Sequence, residues 1–436
     1  HRDSDIDIDR GRNRWFHVLG LPGLGQTVRQ IRSTQISFAQ EEARRYIEDV
    51  LRCVAYQEPS VPDVAKPVDT TPVETEWYQL SFRIEFAKDI SDPEQGVDFE
   101  GDLDPDQYEA ATHAAKRLLI LAGAGTGKTR TLIYRAAWLL KTHRPEELLI
   151  TTFTNKAADE LYQRLYEMMG SPASRAWIGT FHSICHRILR RDAHLLGYSK
   201  EFAIIDKDDA IEVLKRCMPR RPYIDPEQFL QAVSYSSNMM IPLGEVLYTT
   251  NRFRIQAQAR VCDNVAACYK GKLKLADRMD FDDLLEKTIE LFEGRPDVLQ
   301  KYQRQFAHVL VDEYQDTNVL QARILQLLGK GCDVTVVGDD AQSIYGFRGA
   351  RVENILEFES DFPGAEVSKL ELNHRSTREI LALANENIWH NRARRPKTLR
   401  PPDDLAEHVK PWFCSCKEED EEASLVVSRI LDLYGR

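Results

Sequence analysis

Ala122-Gly-Ala-Gly-Thr-Gly-Lys-Thr129 limits what this chain can fold into more than any other segment. It follows an apolar run, Leu118–Leu121, and precedes a helical stretch, Arg130–Leu140. Glycines at 123, 125 and 127 let the backbone curl until successive N–H groups face one point. The N-terminus of the following helix adds partial positive charge there. The result is a phosphate cradle. Lys128 is placed to reach the β- and γ-phosphates of a nucleotide, and the Thr129 hydroxyl to ligate Mg²⁺. The strict pattern carries glycine where this chain has Ala122. A glycine-rich turn alone can simply join two elements, but a strand before and a helix after make it a nucleotide site. Gly20–Thr27 is also glycine-rich, but it carries Gln26 where the lysine is needed and reads as a loop.

The cradle sits in an alternating pattern. Leu118–Ala122, Leu148–Phe153, Val309–Val311 and Val334–Val337 are short apolar runs, each followed by a helix-like segment. Such runs belong to strands buried on both faces of a parallel sheet, so the fold class is α/β. Residues 205–279 hold helix formers and no such run, which predicts a helical insertion. Residues 1–102 differ from the rest. Asp3–Arg12 is charge-rich, Phe38–Tyr56 has one apolar helical face, prolines at 59, 62, 67 and 72 mark a linker, and Trp77–Phe86 alternates like a strand. Asp89–Asp102 is acidic and reads as a boundary.

At 436 residues the chain has room for about three domains. Its net charge of −11 excludes a histone-like polycation but leaves room for a locally basic groove. No apolar run approaches the roughly 20 residues of a membrane-spanning helix. The eight cysteines form no C-x-x-C pair, which favours reduced thiols and an intracellular compartment. Cys414-Ser-Cys416 has no second pair to complete a metal site. The first residue is His1, so the chain reads as a fragment or a processed product.

Two further segments carry chemistry. Val309-Leu-Val-Asp312-Glu313-Tyr-Gln-Asp316 puts acids at a strand end, where parallel sheets place their reactive groups. Asp312 can hold Mg²⁺, and Glu313 can position and deprotonate an attacking water. Val337–Gly349 follows another buried strand and mixes Gln342, a candidate phosphate sensor, with Tyr345, Phe347 and Arg348. Aromatic rings beside arginine suit the stacking and backbone contacts of single-stranded nucleic acid. Taken alone, Tyr345 and Phe347 fit a core equally well.

Together these segments resemble the N-terminal part of a superfamily-1 DNA helicase of the UvrD/Rep type. The resemblance spans residues 103–436 and implies a RecA-like P-loop NTPase domain over 103–204 and 280–370. It also implies a helical insertion over 205–279 and the start of a second RecA-like domain over 371–436. Leu103–Gln107 resembles the adenine-reading Q motif, which puts Gln107 on the base edge. Ala122–Thr129 is the family's own form of the Walker A loop, so the cofactor-binding set is Gln107, Ala122, Gly123, Ala124, Gly125, Thr126, Gly127, Lys128, Thr129 and His374. Thr152–Ala157 resembles motif Ia, with Phe153 stacking on a base. Gly179–Ser183 resembles motif Ib, with Thr180 and His182 near the DNA backbone. Asp280–Leu284 places Phe281 along the strand path. Asp312–Asp316 is similar to motif II, and Gly338–Gly349 to motif III, where Tyr345, Phe347 and Arg348 contact DNA. Family members often carry tryptophan where this chain has Phe347. Leu372–Ser376 resembles motif IV, which makes Arg375 an arginine finger. His374 stands where a tyrosine usually stacks on adenine.

The implied catalytic set is Lys128, Glu313, Gln342 and Arg375, with Thr129 and Asp312 as metal ligands and ATP and Mg²⁺ as cofactors. The implied partners are single-stranded DNA and single-strand/duplex junctions, and the implied movement is 3′ to 5′. No segment resembles motifs V and VI, so the chain is expected to stop early in the second lobe and to turn over ATP slowly by itself. The competing readings are a non-hydrolysing DNA-binding scaffold and an RNA-acting helicase. Arg190, Arg191, Lys270, Lys272, Lys274 and the cluster Arg392, Arg394, Arg395, Lys397 and Arg400 are candidate phosphate contacts, the last cluster foremost.

Overall fold

A computed structural model of the chain describes residues 97–219, 224–249, 256–402, 411 and 414–434. The helix expected over Phe38–Tyr56, the strand over Trp77–Phe86, the proline-marked linker and the loop Gly20–Thr27 lie outside the described residues. Residues 97–411 belong to one compact unit. The helix Glu419–Tyr434 belongs to another.

Among the described residues eight strands come in chain order: β1 Arg117–Ala122, β2 Leu148–Thr152, β3 Trp177–Thr180, β4 Ala203–Ile204, β5 Arg278–Met279, β6 His308–Val311, β7 Asp333–Gly338 and β8 Glu366–Leu370. Six of them form one all-parallel sheet in the order β3-β2-β6-β7-β1-β8. The helices used below are α1 Pro105–Thr112, α2 Lys128–Leu139, α3 Asn155–Met169, α4 Phe181–Asp192, α5 Lys207–Lys215, α6 Pro226–Met239, α7 Leu243–Thr249, α8 Gln256–Leu275, α9 Phe281–Gly294, α10 Pro296–Gln305, α11 Val319–Gly329 and α12 Arg378–Trp389.

The pleat of β1 divides its side chains between two layers. Leu118 and Ile120 pack with Leu132, Ile133, Leu161 and Leu165 of α2 and α3. Leu119 and Leu121 pack with Ile184 and Ile188 of α4, Leu285 of α9 and Leu325 of α11. The sheet is thus covered on both faces, as its apolar runs require. Packing begins before Leu103: Phe99 meets Tyr134 and Trp138 edge-on at 5.7 and 5.3 Å, and the Tyr134 hydroxyl donates to Asp102 at 2.9 Å.

Helices α5 to α8 form a separate lobe with its own core, including Leu214, Phe229, Leu247, Tyr269 and Leu273. The two-residue parallel pair of β4 and β5 closes its neck. Aspartates start the helices at its borders: Asp206 caps α5, Asp225 caps α6 and Asp280 caps α9. Beyond β8, residues 371–402 return to the sheet unit through a parallel bridge between Leu372 and Arg400. Among the described residues no helix is long and apolar enough to cross a membrane.

Candidate functional site

Strand order puts β7 between β6 and β1, so loops leaving the C-terminal ends of three neighbouring strands converge. That is where parallel sheets build their sites. The loop after β1 turns through Gly125 (φ 75°) and Gly127 (φ 79°), both in the left-handed region. A Cβ on Gly127 would lie 2.5 Å from the Gln107 amide nitrogen, and one on Gly125 would lie 2.7 Å from the Arg375 Cβ. The Thr126 hydroxyl ties the loop to the Gly123 carbonyl at 2.8 Å. Ala122 ends β1 fully buried, where a methyl group fits, so its departure from glycine does not disturb the turn. Helix α2 then starts at Lys128, with its N-terminus toward the cradle.

Two segments flank this loop. Gln107 closes a capping box with Asp104 at the start of α1, and its amide donates to the Thr126 carbonyl at 3.0 Å. His374 sends its backbone N–H to the Gly125 carbonyl at 2.9 Å, and its ring nitrogen lies 2.8 Å from Asp104. Asn373 reaches the Ala124 carbonyl and accepts the backbone N–H of Arg375. The Arg375 side chain itself is exposed.

The acids follow β6. Asp312 is buried and accepts the Glu313 N–H at 3.0 Å, while the Thr129 hydroxyl approaches at 3.4 Å. Burial, reinforced by the Glu313 charge and opposed by Lys128, pushes the Asp312 carboxyl up to about 7. Asp316 is pushed up to about 6, by burial first and Glu313 second. Glu313 holds a left-handed backbone at φ 50°, a strain of roughly 1–3 kcal/mol for a residue with a side chain. That backbone aims its carboxylate at Lys128, 2.7 Å away. Lys128 also lies 3.4 Å from the Gln342 amide oxygen. A carboxylate starved of positive charge beside a hydroxyl suits Mg²⁺, which takes one or two protein oxygens and keeps water and phosphate for the rest. Thr129 and Asp312 therefore fit the metal, and the cradle with Lys128 fits a polyphosphate.

The loop after β7 leads away from this centre. It carries Gln342 in one short turn and Gly346–Arg348 in the next. The Tyr345 ring lies 5.0 Å from the Phe153 ring and 6.0 Å from the Phe347 ring, with the Arg348 guanidinium 5.4 and 5.6 Å from Tyr345 and Phe347. Phe347 is 74% exposed, which ends the core reading for that ring, and Phe281 on the expected strand path is 57% exposed. Thr180 caps α4, and His182 meets Phe281 edge-on at 6.2 Å. Burial lowers the His182 pKa and favours the neutral ring. A cavity of 280 Å³ runs from Asp312 and Glu313 to Phe153, Thr180, His182 and Arg348. One of 640 Å³ lies between α5, α6 and Phe281, Phe347 and Arg348. Asn238, Asp282 and Arg348 line both.

Sequence reasoning missed three residues here. Gln315 donates to Glu313 at 2.9 Å and accepts the Asp339 N–H at 2.9 Å. Asp339 accepts the Gln342 amide at 2.6 Å. Asn238 of α6 joins Asp282 at 2.8 Å and Asn318 at 2.6 Å. Gln315 and Asp339 lie inside segments already singled out, but their partners are distant in sequence, and nothing local marks Asn238.

The basic candidates need correction. Lys270 is spent on Asp280, Asp283 and Glu286 at 3.1, 2.9 and 3.4 Å. Lys397 is spent on Asp339 and Asp340, and Arg395 on Glu359. Arg190 and Arg191 lie over the Phe202 and Trp177 rings. Lys272 donates to the Arg216 carbonyl. Lys270, Lys397 and Arg395 are thus committed to carboxylates within the protein, whereas a ring face or a single carbonyl leaves Arg190, Arg191 and Lys272 with donors to spare.

Comparison with known proteins fits this geometry. The profile of the UvrD/REP helicase N-terminal domain matches residues 103–363. An ATP-dependent DNA helicase PcrA of Staphylococcus epidermidis is 41% identical over 339 residues, which is 76% of this chain and 45% of the relative. The PcrA of Bacillus subtilis is 41% identical over 340 residues, and that of Staphylococcus aureus 40% over 336, with the same coverage. The chain thus spans about 45% of the length of these relatives. With the profile covering more than half of it, the chain belongs to the UvrD/REP helicase family.

Proposed function

We propose that this chain is the ATP-hydrolysing, strand-gripping part of a DNA helicase that moves 3′ to 5′ on single-stranded DNA and opens duplex at junctions, inside the cell. The observation that carries this reading is one loop. Between Asp339 and Gly349 it holds Gln342 beside Lys128 at one end and Tyr345, beside Phe153, at the other. A change at the phosphate end therefore has a short, direct route to the stacking rings. In this reading residues 103–204 and 280–370 form the first motor lobe, 205–279 the insertion and 371–436 the beginning of the second lobe.

The residues divide the work as follows. The cradle N–H groups and Lys128 bind the phosphates, and Gln107 and His374 flank the base. Mg²⁺ held by Thr129 and Asp312 would neutralise charge that develops on the phosphates. Glu313 leaves Lys128 for the attacking water, orients it and accepts its proton. Arg375 is exposed and free to swing onto the γ-phosphate. An arginine in that role contributes about 10³–10⁵ in rate. Phe153, Tyr345 and Phe347 stack on bases at roughly 1–3 kcal/mol each, without regard to sequence. Thr180, His182, Phe281 and Arg348 line the path. Grips of that strength hold a base and still release it, as stepping requires.

The test is ATP hydrolysis by the natural full-length polypeptide with and without single-stranded DNA, beside its Glu313→Gln variant. Stimulation that disappears in the variant supports the reading. Tight DNA binding without turnover in either protein supports a scaffold instead, and stimulation by RNA alone supports an RNA-acting motor.

A further inference from the structure

Lys397 lies in the segment after α12, yet it ends inside the loop that follows β7. Its side chain is 7% exposed, and its ammonium sits 2.8 Å from Asp339 and 2.5 Å from Asp340, whose side chains are 4% and 0% exposed. Two buried carboxylates on adjacent residues repel each other unless a cation joins them. The backbone N–H of Arg395 adds a bond to Asp340 at 2.9 Å, and the Arg395 guanidinium is fixed by the Ile355 and Leu356 carbonyls at 3.0 and 2.7 Å. The segment is therefore pinned on both sides of the ion pair.

Asp339 has further duties. One carboxylate oxygen accepts the Gln342 side-chain amide at 2.6 Å, which leaves the amide oxygen of Gln342 facing Lys128 at 3.4 Å. Its own N–H donates to Gln315, which in turn donates to Glu313. Asp339 thus fixes which way Gln342 points, and Lys397 fixes Asp339. We propose that Lys397 is a positioning residue: from the segment after α12 it holds Asp339 so that Gln342 presents its amide oxygen to the phosphate centre. The proposal rests on the motor reading above and deepens it. It gives the second-lobe segment a direct hold on the sensor, independent of the Arg375 side chain.

A double-mutant cycle on the natural full-length polypeptide tests this, with DNA-stimulated ATP turnover and KM for ATP as readouts. Lys397→Met removes the charge and keeps the length of the side chain. It should lower DNA-stimulated kcat about tenfold or more while KM for ATP and affinity for single-stranded DNA stay within about threefold. Gln342→Ala should also lower kcat. The decisive protein is the double variant. If Lys397 acts through Gln342, the double variant is no slower than Gln342→Ala alone. If the two losses multiply, Lys397 supports structure in general and the proposal is overturned. If Lys397→Met does not fold, Lys397→Met with Asp340→Asn removes one carboxylate along with the cation and enters the same cycle. Stimulated turnover by Gln342→Ala equal to that of the parent overturns the sensor reading and this proposal with it, whereas multiplying losses overturn this proposal alone.

Discussion

Asp312→Asn should make the protein more stable while abolishing its turnover, and the gain should grow with pH. The carboxyl is displaced from 3.8 to about 7, chiefly by burial. Each pKa unit corresponds to 1.36 kcal/mol, so the ionised native state carries a penalty of about 4 kcal/mol. A raised native pKa contributes stability that is fully present below 3.8 and is lost as pH rises through 7. Between those values the native state keeps a proton that the unfolded chain has released, and stability falls by about 1.4 kcal/mol per pH unit. Above 7 the full penalty stands. Asparagine escapes it, and its amide oxygen can still accept the Glu313 N–H. Urea denaturation with EDTA and without nucleotide reads the difference. The variant should match its parent near pH 4 and exceed it by about 4 kcal/mol at pH 8. Mg²⁺ with nucleotide should then raise the stability of the parent and leave the variant nearly unchanged. A variant less stable than its parent at pH 8, or a gap independent of pH, would mean that the buried Asp312 charge does not destabilise the native state.

Phe153→Ala should weaken binding of short single-stranded oligonucleotides by about 1–3 kcal/mol, to a similar extent for every sequence, by fluorescence anisotropy. An effect confined to one sequence would argue against stacking. Gly125→Ala forces a Cβ to within 2.7 Å of Arg375 at a positive φ, so it should abolish binding of a fluorescent ATP analogue. Lys270→Ala leaves Asp280 and Asp283 without their cation and should cost about 3–5 kcal/mol of stability with DNA affinity unchanged. A loss of DNA affinity without a loss of stability would restore Lys270 as a phosphate contact.

The central strands were legible because β1, β2, β6 and β7 are buried on both faces and so read as unbroken apolar runs. The edge strands were not. Glu366–Leu370 buries only alternate residues, and Trp177–Thr180 is four residues long and likewise buries only alternate ones. The cradle was legible because its glycines are adjacent in sequence and each answers a local backbone demand. The basic residues misled because a cation's partner is a matter of tertiary structure. Lys397 and Asp339 lie far apart in the chain, and nothing beside Lys397 shows that its charge is already taken. Glu313 was read as the base from its place beside Asp312. Its left-handed backbone and its ion pair to Lys128 appear only in three dimensions.

The central claim is that one loop joins the nucleotide centre to the strand-binding rings. The most direct measurement is single-stranded DNA affinity with and without a non-hydrolysable ATP analogue, repeated for Gln342→Ala. The analogue should change DNA affinity by a definite factor, DNA should change analogue affinity by the same factor, and that factor should fall to one in the variant. Independent binding of the two ligands, or coupling that survives loss of Gln342, would contradict the claim.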